Sequence, residues 1–172
     1  AQLTTFSDNP NNPQSYLFGT GAFNTEIFGS GYTLPPDAPF EVIGVTVFVT
    51  AVPDDGETFD IRVYDGTLED GPQGDPVYVE TFDTDVIPDV NGTTVTATAL
   101  FFNEAAPVSG DAFFVVYDVN AITSVFAAGS TQRLDNPTPE TIVFRSNTFQ
   151  RVDQVFSSDG NPLQLYLFGN AL

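Results

Sequence analysis

The chain has 172 residues, 41% of them apolar, which suffices for one domain with a sizeable core and argues against a disordered chain. Its 23 acidic residues against four basic ones, all arginines, give a net charge of −19, which argues against nucleic acid and anionic membranes as partners. The apolar runs are far shorter than the roughly 20 residues that a membrane-spanning helix needs, so no membrane insertion is expected. The absence of cysteine excludes disulfides, so the fold depends on its core.

This acidity favours bound cations, and it is typical of an acidic extracellular protein or of one adapted to a saline habitat. We interpret the start at Ala1-Gln2 as a new terminus after cleavage of a signal peptide. We therefore expect an exported protein, located outside the cell or at its surface.

The N-terminal segment, residues 1–15, places Leu3 and Phe6 ahead of a turn-rich stretch with two prolines. A short apolar segment on such a tether can add to an exposed strand edge. We predict that residues 1–7 pair with an adjacent subunit, with Leu3 and Phe6 as assembly residues, or that they cover an edge of their own domain. Residues 16–172 are predicted to form a single domain.

Alternating apolar and polar residues predict strands along most of that domain. The apolar faces of three predicted strands are Ile43, Val45, Val47 and Val49; Phe59, Ile61 and Val63; and Val95, Ala97, Ala99 and Phe101. Residues 111–119 are apolar on both faces, which indicates a central strand that is covered on both sides.

Further strands are predicted at 77–83, 122–127, 141–145, 148–156 and 163–169, and pairs such as Asp55-Gly56 mark the turns between them. No window has a helical apolar stripe. The predicted fold is all-β, an antiparallel, jelly-roll-like β-sandwich of about ten strands with negligible helix. Tyr-Leu-Phe-Gly occurs at 16–19 and again at 166–169, and both copies are predicted to be strands of one core.

The order of several stretches is similar to that of a family of β-sandwich accessory domains in secreted Bacteroidota proteins. The stretches are FGTGAFNTEIFGSGYTL, the strand pair VIGVTVFVTA and ETFDIRVYDG, the loop and strand GPQGDPVYVETFD, the element FFNEAAPVSGDAFFVVYDV and the last strand LQLYLFGNAL. The resemblance covers residues 17–172. It implies the sandwich fold and secretion, without an agreed activity.

Without histidine, cysteine or lysine, the chain lacks Ser-His and Cys-His nucleophiles, Schiff bases and ordinary zinc sites. Two carboxylates can make a glycosidase, but the pattern places most acidic residues in turns. We therefore expect a protein that is not an enzyme and has no organic cofactor.

Two acidic loops are candidate Ca²⁺ sites, because Ca²⁺ takes six to eight oxygen ligands. The first contains Asp65, Glu69, Asp70 and Asp75, and the second contains Asp54, Asp55 and Glu57. The alternative in both cases is a solvated hairpin loop. Asn91-Gly92-Thr93 is a glycosylation sequon and equally a tight-turn sequence.

Tyr32, Tyr64 and Tyr78 are predicted to be exposed, where their rings could stack on a glycan. The other aromatic residues are interpreted as core, or as a surface buried against a second copy. Two functions follow as hypotheses: a structural subunit that assembles from copies of itself into a filament, sheath or surface layer, and a calcium-assisted polysaccharide-binding or adhesion module. A viral capsid jelly roll is a third reading.

Overall fold

The computed structural model describes residues 6–8, 16–20, 26–34, 36, 39–88, 96–132, 140–145, 147–151, 157–158, 161–162, 165–167 and 169–171. The strands are β1 (Phe6–Asp8), β2 (Tyr16–Gly19), β3 (Ile27–Thr33), β4 (Phe40–Ala51), β5 (Thr58–Thr67), β6 (Gly71–Pro72), β7 (Tyr78–Asp83), β8 (Thr96–Val108), β9 (Ala112–Asp118), β10 (Ala127–Gln132), β11 (Glu140–Arg145), β12 (Thr148–Arg151), β13 (Ser157–Ser158), β14 (Asn161–Pro162), β15 (Leu165–Leu167) and β16 (Gly169–Ala171). One 3₁₀ turn, Thr84–Val86, is the helical element of this described part.

The strands form two antiparallel sheets of seven strands each and a separate β13–β14 pair. In the first sheet, β4 pairs with three strands: β8, β16 and β10. Strand β10 also pairs with β2 and with β15, and β16 also pairs with β1. The second sheet runs β12-β11-β3-β9-β5-β6, with β7 also paired to β5. Ten of the described strands have four or more residues, so the predicted all-β antiparallel sandwich of about ten strands is confirmed.

The two Tyr-Leu-Phe-Gly copies lie in the same sheet, as predicted, and both pair with one strand. In β2, Tyr16 lies opposite Ser130 of β10, and in β15 Leu167 lies opposite the same residue. Both pairings are antiparallel, so the two copies extend in the same direction on the two sides of β10.

The main core lies between the sheets and is rich in phenylalanine, because the aromatic rings span the distance of about 10 Å between packed sheets. The predicted inward faces of β5 and of most of β4 are confirmed: the buried residues there are Phe59, Ile61, Val63, Val45, Val47 and Val49. Phe28 and Phe126 fill the centre, with their ring centroids 6.3 Å apart.

A second, smaller core lies on the other face of β9, as the two-sided apolar pattern of residues 111–119 predicts. Phe114 and Val116 are fully buried there with Ile142 of β11, because the second sheet curls until β12 contacts β6. The Phe114 ring needs glycine on the strands beside it: a Cβ on Gly31 would lie 2.3 Å from the ring, and one on Gly66 would lie 2.9 Å from it.

Two details of the predicted strands are wrong. Ile43 is 36% exposed, because a β-bulge between Val42 and Gly44 shifts the register and turns Val42 inward instead. Residues 122–126 form a connection and the strand begins at Ala127, although Ile122 and Phe126 are buried as strand residues would be.

Candidate assembly surface

The first half of β8 is a long, uncharged strand at the edge of the first sheet. Residues 96–101, Thr-Ala-Thr-Ala-Leu-Phe, pair with β4 on one side, and among the described strands no other pairs with β8. The backbone groups on the second side are thus free of strand partners in the described part of the chain. An edge of this kind is a template for adding another strand.

The exposed face of this edge is apolar. Phe101 is 61% exposed and Ala99 is exposed, whereas Thr98 and Leu100 are buried. The sequence predicts that Ala99 and Phe101 face the core, but in the structure both face solvent. A phenylalanine in solvent loses about 1–2 kcal/mol of the transfer free energy that burial would supply.

A bulge in β8 interrupts its pairing with β4. Phe101 lies opposite Gly44 and Ala106 lies opposite Val42, so residues 102–105 of β8 stand against Ile43 alone. The inward face of β8 is the same on both sides of the bulge, since Leu100, Ala106 and Val108 are all buried. The predicted face is reversed because the opposite face carries Leu100 and Phe102, and that face packs inwards.

Polar contacts from the second sheet hold this bulge. The Asn103 backbone N–H donates to Glu80 Oε2 at 2.9 Å, and the Asn103 side-chain amide donates to Glu80 Oε1. The backbone N–H of Glu104 donates to the Tyr78 hydroxyl at 3.3 Å. Phe102 packs on the Tyr78 ring with a centroid distance of 5.0 Å. The open edge therefore ends at the bulge, where β7 covers the strand.

Phe101 differs from the other exposed apolar residues of the described chain, which are all aliphatic: Ile43, Val77, Val79, Val86 and Val125. Singly exposed apolar residues are normal on a protein surface, so Phe101 is of interest because it lies beside a strand edge that has no second strand partner among the described residues. Its signal in the sequence is the uncharged run at residues 90–103 in a chain of net charge −19.

Among the four acidic residues of the first predicted Ca²⁺ site, Asp65 and Asp70 hydrogen-bond to different partners. Both oxygens of Asp65 accept bonds from Ser109, from its backbone N–H at 2.8 Å and its hydroxyl at 2.9 Å. Asp70 accepts from the Thr67 hydroxyl at 3.1 Å, and Glu69 and Asp75 are exposed. A shallow depression of about 260 Å³ beside Asp65 is lined by Ser109, Gln73 and others.

The second acidic loop holds the connection before β10 in place through hydrogen bonds. The Glu57 carboxylate accepts bonds from the backbone N–H of Thr123 at 2.7 Å and from the hydroxyls of Thr123 and Ser124. These donors, the Ser124 hydroxyl first, lower the pKa of Glu57 to about 2. The backbone N–H of Asp54 donates to the Ser124 hydroxyl at 2.8 Å, whereas Asp55 is exposed in the turn.

Across the described residues, no three acidic side chains come together as a metal site would require. The structure therefore does not bring together the residues of either predicted site, and the Ca²⁺ site stays a prediction. The sequon at Asn91 lies outside the described residues.

The predicted exposure of Tyr32 and Tyr64 is wrong. Tyr32 is 6% exposed and stacks on Phe113, with ring centroids 5.2 Å apart, and Tyr64 is 7% exposed with its ring against Phe149. Tyr78 is half-buried by Phe102 and bonded to Glu80, and burial together with that bond raises its pKa. Tyr32 and Tyr64 are therefore not available for stacking on a sugar, while a glycan contact at Tyr78 stays a prediction.

The N-terminal segment pairs with the end of its own chain. Phe6 of β1 lies opposite Ala171 of β16, and Asp8 lies opposite Gly169. This arrangement is the own-edge alternative of the prediction for residues 1–7, while exchange with a neighbouring copy stays a prediction. Leu3 lies outside the described residues.

Comparison with known proteins gives no match: no family model, curated protein or solved structure is similar to the chain. The resemblance to Bacteroidota accessory domains therefore stays an expectation from the sequence. Among the described residues there is no helix of the length and hydrophobicity that crossing a membrane requires.

Proposed function

We propose that the protein is a secreted, non-enzymatic structural subunit that assembles from copies of itself into an extracellular filament, sheath or surface layer. The open edge of β8 with the exposed Phe101 is the observation that supports this function best. Strand addition to such an edge satisfies backbone groups, and burial of the ring adds apolar stabilisation.

The charge of the chain makes an uncharged contact necessary for assembly. Copies with a net charge of −19 repel one another, and the repulsion acts over about 10 Å at 0.1 M salt. An uncharged strand edge lets two copies approach without placing acidic side chains face to face. Assembly through this edge is accordingly stronger in high salt than in low salt.

The test is the substitution Phe101→Asp, followed by analytical ultracentrifugation and electron microscopy in high salt. It removes the apolar contact and adds a charge at the edge, so the concentration at which assemblies form rises about tenfold or more, as a loss of 1.4 kcal/mol requires. The matched control is Val125→Asp, because Val125 is 62% exposed but lies outside the strands.

The proposal is supported if Phe101→Asp stays monomeric and folded while the wild type and Val125→Asp assemble. A wild-type protein that stays monomeric at high concentration and high salt contradicts it. Equal loss of assembly in both variants also contradicts it, because added charge alone would then explain the effect.

A further inference from the structure

We propose that the β8 edge binds the β8 edge of a second copy, antiparallel, around a two-fold axis at Ala99. This inference rests on the proposed self-assembly and adds its partner, direction and register. Because a two-fold contact closes after two copies, it supplies a dimeric unit, and growth beyond the dimer takes a second contact. A two-fold contact uses the same patch on both copies, so one self-complementary strand edge is sufficient to form it.

Side-chain size fits this register and argues against the one centred on Phe101. With Ala99 opposite Ala99 of the second copy, Phe101 falls opposite residue 97, which is alanine, on both sides of the axis. Directly opposite side chains in antiparallel strands lie about 4.5–5.5 Å apart, so a large ring beside a methyl group fits where two rings would crowd. The pattern Ala-Thr-Ala-Leu-Phe at 97–101 therefore complements itself.

Charge favours the antiparallel direction over the parallel one. The first acidic residue after the edge segment is Glu104, five positions beyond Ala99. Antiparallel pairing around Ala99 holds the two Glu104 residues roughly 30 Å apart, at about 3.4 Å per residue. Parallel pairing in register would hold them about 5 Å apart, where like charges repel.

The competing partner within this chain is the N-terminal segment. Its strand β1 already pairs with β16 at the other side of β4, with Phe6 opposite Ala171. A second copy of β8 requires no such release, because the edge is unpaired in the described chain. The observations thus favour the second copy.

The absence of cysteine allows a direct test by cross-linking. In Ala99→Cys the two thiols meet at the axis, within the Cα separation of about 4.4–6.8 Å that a disulfide needs. Ala105→Cys is the matched control, because Ala105 is also exposed and also in β8 but lies six positions from the axis. Mild oxidation in high salt and non-reducing electrophoresis measure the covalent dimer.

We expect Ala99→Cys to form the dimer roughly tenfold faster than Ala105→Cys, and Phe101→Asp to abolish this difference. Equal rates for the two cysteine variants would overturn the proposal. So would a preferred cross-link between Ala99→Cys and Leu3→Cys in a mixture of the two proteins, since the N-terminal segment would then be the partner.

These results separate the inference from the proposed function. If the wild type assembles and Ala99→Cys does not cross-link to itself, self-assembly stands and the β8 pairing is wrong. If Ala99→Cys cross-links selectively but no structure beyond a dimer forms, the pairing stands and the filament, sheath or layer is wrong.

Discussion

At the scale of single residues, the polar side chains of the described residues mainly form hydrogen bonds that link segments distant in sequence. Glu57 bonds to Thr123 and Ser124, and Asp65 bonds to Ser109. Each carboxylate binds backbone and hydroxyl donors of one loop, which fixes that loop against the end of a strand. Glu57 and Asp65, two of the residues in the predicted Ca²⁺ sites, therefore also have a structural role.

Glu57 makes stability depend on pH in a defined range. Its pKa is lowered from 4.5 to about 2, so its contribution is fully present above pH 4.5 and is lost as pH falls through about 2. Glu57→Gln, which loses the charge, should therefore be less stable than the wild type at pH 7, and the difference should shrink between pH 4.5 and pH 2. Urea denaturation at several pH values measures this.

Asp55→Asn is the control for Glu57→Gln, because Asp55 is an exposed carboxylate in the same turn. It should leave stability unchanged at pH 7. A difference between Glu57→Gln and the wild type that stays constant down to pH 2 would show that the carboxylate charge is not the cause.

The same substitution, threonine to valine, should have opposite effects on stability at two buried positions. Thr98 is buried in β8, and its hydroxyl has no hydrogen-bond partner among the described residues. The Thr84 hydroxyl, by contrast, donates to the Asp54 carbonyl at 2.7 Å and accepts from the Glu57 N–H at 3.1 Å. Thr98→Val should be neutral or stabilise the monomer by up to about 1 kcal/mol, and Thr84→Val should destabilise it by about 1–3 kcal/mol.

Chemical denaturation of both threonine variants in low salt, where the proposed assembly is weakest, gives the comparison. Destabilisation of Thr98→Val comparable to that of Thr84→Val would mean that the Thr98 hydroxyl has a partner in solution. Because the two substitutions remove the same atoms and add the same methyl group, general packing changes affect both in the same way.

At the scale of the elements, the bulge between β4 and β8 interrupts their pairing and changes which residues of β4 face inwards. Residues 102–105 leave the ladder with β4, and Glu80 of β7 accepts bonds from the released groups of Asn103. Bulges commonly end strand pairing and redirect side chains. Residues 96–101, before the bulge, pair only with β4 among the described strands.

Glu80→Ala should loosen the bulge and little else. The backbone amide of Asn103 then has no acceptor, so its hydrogen exchange should accelerate while the amides of β9 stay protected. The free energy of unfolding should fall by about 1 kcal/mol, because the contact is partly exposed. Thr81→Ala on the same strand is the control, since Thr81 is exposed and bonds to Asp60 instead. Unchanged exchange at Asn103 would contradict this role of Glu80.

The alternation of residues predicts strands well and their faces only where the register is regular. It predicts the buried face of β5 at Phe59, Ile61 and Val63, and the two-sided burial of β9. It fails at Phe101, because the opposite face of β8 carries Leu100 and Phe102 and packs inwards. It fails at Ile43, because that residue lies in a bulge that depends on contacts from β7, far away in the sequence. No local pattern contains that information.

The candidate surface is hard to predict for a related reason. An open edge is a property of the sheet order, and the order follows from pairings such as β4 with β8 and β10 with both Tyr-Leu-Phe-Gly copies. The sequence does contain the composition of the edge, since residues 90–103 are uncharged. The composition of the acidic loops, by contrast, does not reveal that Glu57 and Asp65 bond to Thr123, Ser124 and Ser109.

At the scale of the whole molecule, charge dominates. The described part contains two ion pairs, from Arg62 to Asp60 and to Asp118, which salt weakens. Against them stands a net charge of −19, whose self-repulsion salt also weakens. The repulsion involves far more charges than the ion pairs do, so the net effect of salt should be stabilising.

We therefore expect the melting temperature of the monomeric Phe101→Asp variant to rise between 0.01 M and 1 M NaCl, as the screening length falls from about 30 Å to about 3 Å. A rise of roughly 5 °C corresponds to about 1–3 kcal/mol in a chain of this size. This variant keeps assembly from contributing to the shift. CaCl₂ and MgCl₂ at equal ionic strength test the predicted Ca²⁺ sites, since a bound ion adds stabilisation specific to Ca²⁺. A melting temperature that does not change with NaCl would mean that the acidic side chains are too far apart to repel, and the electrostatic reason for an uncharged contact edge would then fail as well.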